Sequence, residues 1–142
     1  MSEFMRAKME QLSINIIKNL QDIDIYKIAH IKDEAKFEEY IYNRLDHLVD
    51  KKISLMTQSK SYREGRELRP DLVIGKDDIL IELKYDLKNV NDIYRLYYQA
   101  VKYAKRAKYA LILCVHDPDK TLLRTDIEDL ESIEKVTVVQ IY

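Results

Sequence analysis

The sequence predicts a single α/β domain in which helices cover both faces of a mixed β-sheet. The chain has 142 residues, which suits one compact domain with a substantial core. Apolar residues make up 46% and charged residues 35%, at a formal net charge of −1. This balance is typical of a folded protein rather than a disordered one. The third observation is the order of helical and strand patterns along the chain.

Apolar residues at helical spacing predict helices over residues 3–20, 33–50 and 89–108, and a short one to about residue 133. Asp33 is the expected N-cap of the second helix, and Thr125 or Asp126 that of the last. Strand patterns cover residues 53–59, 71–75, 78–84, 109–115 and 136–141. Three adjacent strands followed by a crossover helix to a fourth indicate a mixed sheet.

Composition excludes several classes of protein. The single cysteine, Cys114, excludes an internal disulfide framework, and its apolar neighbours predict that it is buried. Apolar runs are short and the first 20 residues carry charges, so we expect no membrane span and no signal peptide. A cytoplasmic, reduced setting is therefore expected. Without a glycine-rich phosphate loop, no nucleotide cofactor is expected either.

The segment from Arg69 to Lys84 carries the candidate chemistry. If Lys76 and Asp77 form the turn of a hairpin, Asp71 lies opposite Glu82. Opposed side chains in an antiparallel pair have Cβ atoms about 5 Å apart. Two carboxylates at that distance repel each other unless a positive charge lies between them, and Mg²⁺ prefers such oxygen ligands.

Strand alternation adds a cation to this pair. Glu82 and Lys84 are two residues apart and project from one face, whereas Leu83 points to the other. The cluster is a minimal set for metal-assisted phosphodiester hydrolysis. The alternative for Glu82 and Lys84 alone is a solvated strand face with a weak surface ion pair.

Pro70-Asp71, ten further residues and Glu82-Leu83-Lys84 resemble the signature of the PD-(D/E)XK nuclease superfamily. That superfamily includes restriction endonucleases, Holliday-junction resolvases and repair nucleases. Its restriction-endonuclease-like core is a helix, a three-stranded antiparallel sheet, a helix and a further strand. The resemblance places this core at residues 33–115, with a helical extension at 1–32 and a helix and strand at 116–142.

The resemblance implies a Mg²⁺- or Mn²⁺-dependent DNA endonuclease. It makes Asp71, Glu82 and the carbonyl of Leu83 metal ligands, and Lys84 the residue that assists the attacking water. Many members also use a glutamate of the first core helix. Glu38 is the preferred candidate here and Glu34 the alternative, and for each an ordinary solvated glutamate stays equally open.

Other motifs indicate how substrate is held. Gln99 and Tyr103 match a Gln-x-x-x-Tyr motif of some branches, which implies a Gln near the active site and a Tyr near nucleic acid. A basic segment ahead of the second strand is expected to contact phosphates; its members are Lys60, Arg63, Arg66 and Arg69. Late in the predicted 89–108 helix, a second cluster of lysines and an arginine is a weaker candidate.

Two alternatives to catalysis stay open. The same fold could hold nucleic acid without cutting it, or the N-terminal helix could dock a partner or a second copy. A homodimer is compatible with a small nuclease that cuts two strands.

Overall fold

The computed structural model describes residues 2–57 and 69–142, and the element order agrees with the prediction. The helices are α1 (Glu3–Gln21), α2 (Glu34–Asp46), α3 (Val90–Arg106) and α4 (Arg124–Glu131). The strands are β1 (Leu55–Thr57), β2 (Leu72–Ile74), β3 (Ile79–Lys84), β4 (Ala110–His116) and β5 (Val136–Ile141).

The five strands form one mixed sheet in the order β1-β2-β3-β4-β5. The pairs β1–β2 and β2–β3 are antiparallel, whereas β3–β4 and β4–β5 are parallel. Each parallel step crosses over through a helix, α3 in the first and α4 in the second. The α/β class and the mixed sheet are therefore confirmed.

Two hydrophobic cores lie on opposite faces of this sheet because successive strand side chains alternate. The first core joins α1 and α2 to Leu72, Ile81 and Leu83, and the second joins α3 and α4 to Val73 and Leu80. Strand β4 contributes to both cores and is buried over most of its length. Helices thus cover both faces, as predicted. The buried position of Cys114 is also confirmed.

Several element boundaries differ from the prediction. Helix α2 ends at Asp46 rather than near residue 50, because the Leu48 amide bonds the Leu45 carbonyl and tightens the last turn. The N-cap of α4 is Leu123, so the expected caps Thr125 and Asp126 were wrong. Asp126 instead lies in the first turn, where its carboxylate accepts from the Leu123 amide at 2.9 Å.

The β2–β3 hairpin has the predicted register, with Leu72 opposite Ile81 and Ile74 opposite Ile79. Its turn requires left-handed backbone at Gly75 (φ 66°) and Asp77 (φ 57°). A Cβ at Gly75 would clash with the carboxylate of Asp78. Glycine therefore permits both the backbone conformation and the close approach, and the turn sets which residues oppose each other.

No helix in the described part of the chain is long and apolar enough to span a membrane.

Candidate active site

Asp71 and Glu82 are neighbouring, buried carboxylates on adjacent strands. Only 1% of Asp71 and 5% of Glu82 is exposed. The hairpin register, continued by one residue beyond Leu72 and Ile81, sets them opposite each other. Alternation turns both toward the α3 side of the sheet, in line with Val73 and Leu80 of the second core. Burying an acidic residue is costly, so the fold must hold this pair by specific contacts.

Main-chain amides hold both carboxylates. The Leu83 amide donates to Asp71 Oδ2 at 2.8 Å, and the Asp71 amide donates to Glu82 Oε1 at 3.2 Å. Each strand therefore anchors the acidic side chain of the other. These hydrogen bonds fix the orientation of both carboxylates. The pair is thereby restricted to one geometry before any ligand arrives.

Lys84 is the last residue of β3 and is half-buried. It lies on the same side of the strand as Glu82, since Leu83 between them packs in the first core. Its neighbour in the parallel register is Val115 of β4. The Lys84 side chain therefore lies at the carboxyl end of β3, on the same face of the sheet as Glu82.

The donor set suits a hard divalent cation. Carboxylate and carbonyl oxygens are what Mg²⁺ and Mn²⁺ prefer, and Mg²⁺ commonly uses one or two carboxylates and retains waters. Residues 2–57 and 69–142 contain no group of three or more His, Cys, Asp or Glu side chains placed to hold a metal. Among these described residues, Asp71 and Glu82 are the acidic side chains that the hairpin register sets side by side.

The two first-helix glutamates lie on a helix that packs on the opposite face of the sheet from this pair. Glu34 is exposed in the first turn of α2. Glu38 is half-buried and lines a pocket of about 600 Å³ with Tyr42 of α2 and residues of β1. Helix α2 packs through Phe37 in the first core, whereas Asp71 and Glu82 face the second. Sequence patterns do not reveal this because they do not specify the face on which a helix docks.

Gln99 and Tyr103 lie on α3, the helix that covers the acidic pair's side of the sheet. Gln99 Oε1 is buried and accepts no hydrogen bond from any described residue. Tyr103 is 1% exposed and belongs to the second core. From the sequence we expected this tyrosine to lie near nucleic acid, but its ring is buried in the core and not on the surface. The ring is buried because the face that α3 turns to the sheet includes Leu96, Ala100 and Tyr103.

Of the expected phosphate-binding residues, Lys60, Arg63 and Arg66 lie outside the described residues, and Arg69 is half-buried just before Asp71. The basic end of α3 is partly engaged in the fold. Arg106 pairs with Asp77 at 3.5 Å and Lys108 with Asp78 at 3.8 Å, so both contact the hairpin turn.

An aromatic cluster at the carboxyl ends of β3 and β4 was not predicted. The rings of Tyr85 and His116 stack with centroids 4.7 Å apart and an interplanar angle of 7°, and Phe37 packs at an angle against both. Burial lowers the pKa of His116, against the opposing effect of Asp86 and Asp117. Tyr85 directly follows the candidate residue Lys84, which was the one signal in the sequence. Its ring partner, His116, is far away in sequence and comes close only because β4 pairs with β3.

Comparisons of this chain with models of known protein families, with curated proteins and with solved structures found no match.

Proposed function

We propose that this chain is a metal-dependent endonuclease that hydrolyses phosphodiester bonds in DNA. The observation that supports the proposal is the pair of buried carboxylates, Asp71 and Glu82, anchored by each other's strand with Lys84 on the same side. The order of helices and strands from α2 to β4 is compatible with the restriction-endonuclease-like core that this motif resembles.

In this proposal Asp71 and Glu82 each contribute a carboxylate oxygen to Mg²⁺ or Mn²⁺, with the Leu83 carbonyl as a further ligand. The bound ion would polarise a phosphate oxygen and lower the pKa of a coordinated water. Lys84 would orient the attacking water and stabilise negative charge that develops on the phosphoryl oxygens. Water adds to phosphorus, one P–O bond breaks, and the leaving oxygen takes up a proton.

Burial gives this arrangement its strength. Electrostatic interactions are stronger where water is excluded, and the main-chain anchors remove the need to reorganise the carboxylates during reaction. Lys84 is only half-buried, so it is accessible to a phosphate that approaches along the sheet edge.

The test is cleavage of supercoiled plasmid, a four-way junction and single-stranded DNA in Mg²⁺, Mn²⁺ or EDTA. Asp71→Asn, Glu82→Gln and Lys84→Ala should each lower the rate by about 10²-fold or more, since each removes one electrostatic contribution to the reaction. Exposed residues near the end of α2 provide matched controls, Asp46→Asn and Lys51→Ala, which should cut like the wild type.

Metal-dependent cutting that is lost in the three site variants and kept in both controls would support the proposal. If the wild type binds these DNAs but cuts none of them with any metal, the non-catalytic binding module replaces it. The preferred substrate would also distinguish junction processing from duplex cutting.

A further inference from the structure

A cleft opens at the carboxyl ends of β3 and β4, on the face of the sheet opposite to the acidic pair. Its volume is about 710 Å³, within the range of roughly 300–1,000 Å³ of small-molecule sites. Tyr85, which follows Lys84 directly, lines it together with His116 at the end of β4. The side chains of Lys84, the last residue of β3, and of Tyr85, which follows it, point to opposite faces of the sheet.

Four aromatic rings in the described part of the chain line this cleft, those of Tyr26, Tyr85, His116 and Tyr142. The stacked Tyr85–His116 pair is half-buried, and the Tyr85 hydroxyl donates to the Ile31 carbonyl at 3.0 Å, which fixes its ring. The other two rings are more open to solvent: Tyr26 is 85% exposed and Tyr142 is 59% exposed. Exposed tyrosine rings at the mouth of a cleft provide faces on which a nucleic-acid base can stack.

Positive charge accompanies these rings. Lys120 lies over the ring of Tyr142 with its Nζ 4.9 Å from the centroid, and Lys32 lines the same cleft. Neither lysine forms an ion pair with a residue in 2–57 or 69–142. Asp86 of the cleft pairs with Lys88 at 3.0 Å, and Lys88 also pairs with Asp119 at 3.5 Å. Among the residues that the structure describes, the charged side chains that line the cleft are therefore two lysines and one ion-paired aspartate.

His116 adds a directed hydrogen-bond donor. Its Nδ1 accepts from the Asp86 amide at 3.0 Å, so in the neutral ring the proton is on Nε2. A ring ligand that carries acceptor atoms can use this N–H. Stacking surface, cations and a ring donor in one cleft are the features that bind a nucleotide.

We propose that this cleft binds an unpaired nucleotide, with its base against the tyrosine rings and its phosphate beside Lys32 and Lys120. The nucleotide belongs to the nucleic acid that the proposed nuclease cuts, so the inference extends the proposed function to a strand with at least one unstacked base. A perfect duplex does not offer such a base without distortion.

The first test uses the wild-type protein in EDTA and needs no variant. Titration with deoxyadenosine monophosphate and with a short single-stranded oligonucleotide is followed through the side-chain NMR signals of His116. Saturable shifts of these signals, with those of exposed His30 unchanged, support the inference. An unchanged His116 signal with both probes overturns it.

The second test measures oligonucleotide affinity in EDTA for Tyr26→Ala combined with Tyr142→Ala, and for Lys120→Ala. Base stacking predicts a loss of roughly 5- to 100-fold for the double variant. Lys120→Ala should lower the slope of log K against log salt by about 0.7. The matched control is Tyr94→Ala, an exposed tyrosine of α3, which should bind like the wild type.

These binding measurements separate the two proposals. Cleft variants that bind like the wild type, or a Tyr94→Ala loss as large as theirs, overturn the cleft inference even when Mg²⁺-dependent cutting is present. Loss of affinity confined to the cleft variants supports the cleft even in a protein that cuts no DNA, and in that case only the proposed nuclease activity fails.

Discussion

Asp71 donates its main-chain amide to Glu82 Oε1 at 3.2 Å, while its own carboxylate accepts from the amide next to Glu82, that of Leu83, at 2.8 Å. The two candidate metal ligands are therefore coupled in both directions across the β2–β3 hairpin. Displacement of either strand would disturb both ligands at once. The turn at Gly75 and the acidic pair thus form one structural unit.

Metal binding should stabilise the folded chain through this pair. Mg²⁺ at about 100 times its Kd should raise the free energy of unfolding by about 2.7 kcal/mol, because the cation offsets the repulsion between adjacent carboxylates. Thermal unfolding with Mg²⁺ and with EDTA measures the effect. The double variant Asp71→Asn with Glu82→Gln should show no shift. An equal shift in the wild type and the double variant would place the ion elsewhere.

The Asp71 side chain should have a structural role that is separable from catalysis. Asp71→Ala leaves the Leu83 amide without its acceptor and should cost about 1–3 kcal/mol in free energy of unfolding. Asp71→Asn retains a side-chain oxygen and should cost less, although both variants lose cleavage. Urea unfolding of the two variants provides the comparison. Equal stability would mean that the Leu83 hydrogen bond contributes nothing to folding.

Gln99 is expected to serve the site rather than the core. Its buried Oε1 lacks a hydrogen-bond partner among the described residues, so Gln99→Leu should unfold at the same or a higher temperature. If Gln99 positions the site, the same change should lower the cleavage rate by about 10-fold. Gln11→Leu on the exposed surface of α1 is the control. Reduced stability with normal cleavage would instead indicate a packing role.

His116 should make stability depend on pH below neutrality. Burial lowers its pKa from the ordinary value of 6.5, so the unfolded chain binds more protons than the folded chain between the two pKa values. Stability should fall as the pH drops from 6.5 to the folded pKa and level off below it. Protonation of Nδ1 would also break its hydrogen bond with the Asp86 amide.

Free energies of unfolding across that pH range test this expectation. His116→Gln should remove the dependence, whereas His30→Gln, at an exposed position, should retain it. A slope in His116→Gln as steep as that of the wild type would assign the titration to another group.

Asp117 should be the most costly acidic residue to remove outside the candidate active site. It is fully buried, and its carboxylate accepts from the amides of Thr121 and Leu122 and from Gln140 Nε2 at 2.8–2.9 Å. Asp117→Ala leaves these donors unsatisfied and should cost about 3 kcal/mol or more. Chemical denaturation measures the loss, with Asp119→Ala as the control.

Asp119 is exposed and two residues away, so its replacement should change stability little. The hydrogen bonds of the Asp117 carboxylate all lie within the loop after β4 and strand β5. A free energy of unfolding for Asp117→Ala equal to that of the wild type would contradict this structural role.

Local pattern in the sequence was sufficient to predict the element order and the register of the β2–β3 hairpin. The register that sets Asp71 opposite Glu82 follows from the length of one turn and from strand alternation, which are both short-range properties. The caps at Asp33 and Asn89 are equally local, since each side chain accepts from an amide three residues later. Such features need no knowledge of tertiary packing.

Only the tertiary structure decided which helix faces which side of the sheet. Helix α2 packs on the first core, whereas the acidic pair faces the second, and docking of α3 on the second core buries Tyr103. The rings of Tyr85, just after β3, and His116, at the end of β4, likewise stack only because these two strands pair in parallel. These contacts depend on long-range packing, whose energy is spread over many side chains and leaves no periodic signal in the sequence.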